Sequence, residues 1–147
     1  MKAFKIATIA FTLICALMIT ACSSAKTPIV CSSDIGTTEN AATFDQYFNN
    51  MTLVSKATGL SGTSGNNGPQ FADQEILNLK IDSKTGVDLR ACVQPLTGAN
   101  ILIPFDQTLT IKQGQGVFDI GTYVIGTYIV RVVVGNTLVK NFPFEIK

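Results

Sequence analysis

The chain has 147 residues, 46% of them apolar, a formal charge of +1, and neither histidine nor tryptophan. Without histidine, Ser-His-Asp and Cys-His catalysis and every His-based zinc site are excluded. No basic run marks a nucleic-acid interface, so nucleic acid is not an expected partner. Composition therefore favours a protein that is not an enzyme and holds no metal or cofactor.

The first 21 residues have the order of a secretory signal peptide. Lys2 and Lys5 precede an uncharged, mostly apolar stretch over residues 6–19, which is typical of export signals. An uncleaved anchor is the alternative, but a spanning helix needs about 20 apolar residues. We expect residues 1–21 to be removed. Losing two of the 11 basic residues leaves nine against ten acidic ones, a formal charge of −1.

Residues 19–22, Ile-Thr-Ala-Cys, resemble the lipobox of bacterial lipoproteins. In that family the cysteine thiol receives a lipid, and the chain is cleaved before it. The resemblance implies that Cys22 is the lipidated mature N-terminus and that the membrane is a partner through this lipid. It also implies an exported protein facing the periplasm or the cell surface, held at the outer membrane if the cell is Gram-negative. Several acyl chains are enough for stable attachment.

The four cysteines are not equivalent. Cys15 leaves with the signal and Cys22 carries lipid, which leaves Cys31 and Cys92. In an oxidising compartment such a pair is expected to form a disulfide. Closing a loop of about 62 residues would contribute roughly 4 kcal/mol. A redox or metal pair is the alternative, but there is no C-x-x-C spacing. Strand alternation places Cys92 on the polar side, so a bridge would hold the N-terminal segment across an outer face or an edge.

Composition divides the mature chain into a tether and one domain. Residues 22–40 are mostly polar and are predicted to form the tether. About 126 residues follow cleavage, enough for one core. The domain over 41–147 is expected to contain a helical or mixed piece over 41–58, a flexible loop over 59–69, and a sandwich core over 70–147.

Residues 41–55 are predicted to be the one short helix. Phe44, Tyr47, Phe48 and Met51 recur at helical spacing and would form an apolar face, with Thr38 as the N-cap. We expect this face to pack on the domain rather than to bind a partner. A strand over 51–57 is the alternative.

From Phe71 onward the apolar period is two, which predicts strands. Leu77, Leu79 and Ile81 share one face, and residues 87–94 alternate in the same way, so we expect a hairpin turning at residues 83–86. Further strands are predicted over 101–105, 108–112, 117–120, 127–134 and 137–146. In the last strand we expect Leu138, Phe142, Phe144 and Ile146 to share one face, and Pro143 predicts that this strand runs partly along an edge.

Residues 125–132, Ile-Gly-Thr-Tyr-Ile-Val-Arg-Val, and the turn Gly135-Asn136 resemble the last hairpin of bacterial immunoglobulin-like or fibronectin-III-like domains. The resemblance implies a mainly β protein, a single antiparallel Ig-like β-sandwich, with Tyr128 comparable to the corner tyrosine. The chain departs from the pattern in lacking a core tryptophan.

The expected localisation and fold class predict the function only in general terms. We expect a non-catalytic interaction or structural module of the cell envelope, whose partner is an envelope protein or a cell-wall polymer. The alternatives are an inhibitor or immunity-type lipoprotein and a carbohydrate-binding module. Candidate binding segments are loops 59–69 and 113–116 and strand 101–105. Candidate sugar-stacking rings are Tyr47, Phe71 and Tyr123. The carboxylate pairs Asp73–Glu75 and Asp82–Asp88 are more simply solvated turn charges than a glycosidase pair.

Overall fold

The computed structural model describes residues 38–96 and 105–147, which form one helix and nine strands. The elements are α1(Ala41–Tyr47), β1(Phe48–Ser55), β2(Thr63–Gly65), β3(Gly68–Phe71), β4(Leu77–Ser83), β5(Val87–Pro95), β6(Phe105–Ile111), β7(Gly114–Gly121), β8(Gly126–Val134) and β9(Thr137–Ile146). They build a three-stranded sheet, β1-β4-β7, and a six-stranded sheet, β2-β3-β9-β8-β5-β6. The predicted mainly β sandwich with one short helix is confirmed.

The two sheets share one apolar core. Alternate residues of each strand point into it: Leu79 and Ile81 come from the small sheet, and Ala91, Val130 and Phe144 from the large one. Each is at most 2% exposed. The order β1-β4-β7 against β6-β5-β8-β9 corresponds to strands A-B-E and C′-C-F-G of an immunoglobulin-type sandwich.

The first helix is shorter than predicted. It ends at Tyr47, and Asn40 rather than Thr38 is its N-cap, accepting a hydrogen bond from the Thr43 N–H at 2.9 Å. The next eight residues are strand β1 because pairing with β4 outweighs the helical spacing of the aromatics. The apolar face does pack on the domain, since Phe48 and Met51 are 1% and 5% exposed.

The segment predicted to be a flexible loop contains a hairpin. Strands β2 and β3 pair antiparallel, and β3 then pairs parallel with β9 through Gln70–Glu145 and Phe71–Ile146. This corrects the expectation of an entirely antiparallel sandwich. Gly68 begins β3 with φ +103°, and a Cβ there would lie 2.1 Å from the Pro143 carbonyl oxygen. Only glycine allows this approach of the two backbones.

Strands β4 and β5 are not a hairpin, which corrects a second expectation. The predicted inward faces are right, because Leu77, Leu79, Leu89 and Val93 are at most 2% exposed. However, β4 belongs to the small sheet and β5 to the large one, so the intervening turn crosses between sheets. Period-two alternation identifies the buried face of each strand but not its partner.

The C-terminal hairpin forms as predicted around Gly135 and Asn136. One inward assignment is wrong: a register shift between Val132 and Val133 puts Val139, rather than Leu138, in the core cluster. A bulge reverses which face the preceding residues occupy. The edge prediction for Pro143 fits the pairing, because β3 joins β9 only from Glu145 onward.

Candidate functional site

The predicted lipid and disulfide residues lie mostly outside the described part of the chain. Cys22 and Cys31 are outside it, so lipidation and the Cys31–Cys92 pairing stay predictions. Cys92 lies on β5 between Ala91 and Val93 and is 0% exposed. It is not a free thiol. Its neighbours belong to the core cluster and Cys92 does not, which agrees with the predicted outward orientation.

The outward face of the large sheet holds a buried charge beside Cys92. Arg131 pairs with Cys92 across β8 and β5 and is 9% exposed. Its Nε and Nη1 atoms have no hydrogen-bond partner among the described residues. By contrast, Arg90 on the same face forms a bidentate ion pair with Asp106. Burying guanidinium nitrogens without a partner costs stability, so we predict that Arg131 is a local weak point of this face.

The candidate glycosidase carboxylates have structural partners. The Glu75 carboxylate accepts a hydrogen bond from the Ala72 N–H at 3.0 Å, and Asp73 accepts one from the Gln74 side chain at 3.3 Å. Asp82 and Asp88 lie on strands of different sheets. The first pair therefore organises a loop, and the second pair is not a common site.

The outward face of the small sheet presents an ordered array of side chains. Register places three residues side by side in each of three rows. The rows are Asn50-Asp82-Gln115, Thr52-Lys80-Val117 and Val54-Asn78-Asp119. We call these nine residues the small-sheet face. Neighbours within a row are about 4.8 Å apart between strands, and rows are about 7 Å apart along them.

A shallow groove of 320 Å³ runs over the first two rows of this face. Hydrogen bonds hold two of its charges in place: Lys80 Nζ donates to the Gly59 carbonyl oxygen at 3.2 Å, and Asp82 accepts from Asn49 at 3.3 Å. In the third row, the Asn78 Oδ1 atom is buried and has no hydrogen-bond partner among the described residues. The face thus offers fixed donors and acceptors to a polar ligand.

Lys56 and Asp119 form an ion pair at the end of this face, 2.9 Å apart. The hydrogen bond from Lys56 and a second from the Gly121 N–H lower the pKa of the Asp119 carboxyl. Both side chains are about half exposed, 52% and 48%. The pair therefore stabilises the fold little and mainly keeps Asp119 ionised.

Three aromatic rings close one end of the core. Tyr123 and Tyr128 pack on Phe144 with ring centroids 5.5 and 5.3 Å apart. The Tyr128 hydroxyl donates to the Val124 carbonyl oxygen at 2.9 Å, four residues upstream. This is the geometry of a corner tyrosine. Burial, reinforced by the negative charge of Asp119, raises the pKa of the Tyr123 hydroxyl well above its ordinary value.

The other sites suggested by sequence are changed by the structure. Phe71 and Tyr123 are 4% and 5% exposed, so they are core rings and not sugar-stacking platforms, and Tyr47 is partly buried. Gln115 and Gly116 belong to β7 rather than to a loop. Of strand 101–105, only Phe105 lies in the described part. The small-sheet face was missed because sequence did not show that β1, β4 and β7 are neighbours.

Two features are absent from the described part of the chain. No helix within residues 38–96 and 105–147 is long and apolar enough to cross a membrane. Over the same ranges, no three His, Cys, Asp or Glu residues are grouped closely enough to hold a metal ion.

Comparison with known proteins gives no family. No family model and no curated protein matches the chain. Among solved structures, a β-glucosidase involved in saponin metabolism from intestinal bacteria is similar at 12% identity and a TM-score of 0.39. The match covers 67% of this chain and 16% of that enzyme.

Proposed function

We propose that this protein is an exported, lipid-anchored module of the cell envelope that binds a partner without catalysis, and that it does so through the small-sheet face. The lipobox resemblance at Cys22 supports export and lipid anchoring. The observation that supports the binding site is the groove over the two rows Asn50-Asp82-Gln115 and Thr52-Lys80-Val117, whose side chains are mostly polar and come from three paired strands.

The composition of the groove favours a polypeptide over a sugar chain. Its outward side chains comprise two amides, a hydroxyl, one charge of each sign and the aliphatic Val117. Sugar rings are usually held against aromatic side chains, and none of the described residues that line this groove is aromatic. An extended peptide repeats its side chains about every 7 Å on one face, which matches the spacing between rows. An envelope protein is therefore the proposed partner.

Site-specific crosslinking in intact cells tests this function. A photoreactive benzoylphenylalanine replaces Val117, which is 57% exposed on the small-sheet face. The matched control places it at Thr110, an exposed residue of β6 on the other sheet. We expect one protein to be crosslinked from position 117 and not from position 110. Equal yields at both positions, or none at either, would contradict the proposed site.

The crosslinked partner and a polymer-binding assay distinguish the two alternative functions. If the captured protein is a secreted hydrolase that this chain inhibits, the function is that of an immunity-type lipoprotein. Retention of the purified protein on cell-wall polymer, lost in Lys80→Ala and unchanged in Thr110→Ala, would instead establish a carbohydrate-binding module.

A further inference from the structure

Most exposed large aliphatic side chains lie at one end of the sandwich. The described residues include six such side chains, from 39% to 70% exposed, and Val117 is the only one on the small-sheet face. The other five are Leu60, Ile76, Leu96, Val124 and Ile125. We call these five residues the apolar tip. Single exposed aliphatic residues are ordinary, whereas several at one end of the domain are a candidate interaction surface.

Hydrogen bonds hold the loops of the apolar tip together. At the end of β1, the Ser55 N–H donates to the Leu60 carbonyl oxygen at 2.9 Å. The next N–H, that of Lys56, donates to the Ile76 carbonyl oxygen at 2.8 Å. The Val124 carbonyl accepts from the Tyr128 hydroxyl, and the Leu96 N–H donates at 3.0 Å to a carbonyl near the start of β8. The tip is therefore built on the ends of β1, β4, β5 and β8.

We propose that the apolar tip inserts into the interfacial region of the same bilayer that holds the lipid on Cys22. This inference rests on the proposed lipid anchoring. All five side chains are aliphatic, which suits contact with acyl chains and the glycerol region. The strands then run away from the membrane, and the small-sheet face remains accessible from the side.

The length of chain before the sandwich permits this orientation. The Asn40 N–H donates to the Leu138 carbonyl oxygen near the start of β9, at the end of the sandwich opposite to the apolar tip. Asn40 lies 18 positions after Cys22, a stretch that reaches up to about 60 Å when extended. The ten residues of β9 span only about 33 Å. The tether can thus return along the domain and place its lipid at the apolar tip.

The charges around the tip favour an apolar contact rather than an ionic one. Lys56 is paired with Asp119, and Lys147 lies 3.8 Å from Glu145. Unlike a polybasic surface, the described residues at this end carry no excess of positive charge that would attract anionic lipid. Tip insertion is therefore expected to be the same in vesicles with and without phosphatidylglycerol.

Because the chain has no tryptophan, one introduced indole reports its depth without background. The full lipidated protein is made as Ile125→Trp and, on another loop of the tip, as Leu60→Trp. Asn136→Trp, in the exposed turn at the opposite end, is the matched control. Each is reconstituted into phosphatidylcholine vesicles whose acyl chains carry bromine, a short-range quencher, and into unbrominated vesicles, in both cases with and without added phosphatidylglycerol.

We expect emission from both tip variants to shift to shorter wavelength and to be quenched by the brominated lipid, while the Asn136→Trp variant is unaffected. If all three proteins float with the vesicles but no tip indole is quenched, or the control is quenched equally, the orientation is wrong while lipid anchoring stands. If the wild-type protein from cells does not float, the proposed anchoring itself fails. Tip quenching that disappears without phosphatidylglycerol would overturn the apolar basis of the contact.

Discussion

The buried hydroxyl of Tyr123 should make the fold lose stability at alkaline pH. Tyr123 is 5% exposed, and its hydroxyl donates to the Ile120 carbonyl oxygen. Burial first, then the charge of Asp119 and the proximity of Tyr128, raise its pKa in the folded protein. In the unfolded chain a tyrosine ionises near pH 10. The raised pKa therefore contributes stability that is fully present below pH 10 and is lost as pH rises toward the folded value.

The size of the effect follows from proton linkage. At pH 11 the unfolded Tyr123 is about ten-elevenths ionised while the folded hydroxyl stays protonated, so the free energy of unfolding falls by about 1.4 kcal/mol. The Tyr123→Phe variant has no such proton. It loses instead about 1 kcal/mol at every pH, because the Ile120 carbonyl loses its buried donor.

Urea unfolding of both proteins at pH 8 and pH 11 measures this difference, since all other titrating groups are shared. The wild type is expected to be more stable than Tyr123→Phe at pH 8, and the advantage should vanish or reverse at pH 11. A stability difference that is the same at both pH values would refute the buried, proton-holding role of Tyr123.

Three further predictions concern other parts of the fold. Arg131→Met should raise the free energy of unfolding by about 1 kcal/mol or more, because it removes a buried charge whose Nε and Nη1 atoms have no partner among the described residues; a decrease in the free energy of unfolding, measured with urea, would mean that the guanidinium is paired. Gly68→Ala should be much more destabilising than Gly114→Ala, since both have positive φ but only the first Cβ meets a backbone carbonyl; equal midpoints would contradict the close β3–β9 approach. For the Cys31–Cys92 bridge, non-reducing gels should show faster migration than reducing gels, and two alkylated thiols in the native protein would exclude it.

The sequence predicted the faces of strands better than their neighbours. Alternation correctly assigned Leu77, Leu79 and Ile81 to the core, because burial of one face imposes a period of two whatever the strand pairs with. It could not show that β4 and β5 lie in different sheets. The three-row array of the small-sheet face depends on that partition, so it could not be found from sequence.

Competition between local preference and pairing with distant strands explains why β1, β2 and β3 differ from the prediction. Residues 44–51 have apolar residues at helical spacing, whereas residues 51–55 suit a strand, and pairing with β4 made residues 48–55 a strand. The glycine-rich segment before Phe71 forms β2 and β3 because β9, more than 70 residues later in the chain, supplies a parallel partner. By contrast, the β8–β9 hairpin was predictable, since its turn and both strands are contiguous.

The account depends most on lipidation of Cys22, and metabolic labelling with a radioactive fatty acid tests it directly. We predict that the wild-type protein takes up label and that its N-terminal peptide begins at an acylated Cys22. We also predict that Cys22→Ala takes up none. A wild-type protein that carries no label, or a Cys22→Ala variant labelled equally, would contradict the anchoring from which the proposed address and orientation follow.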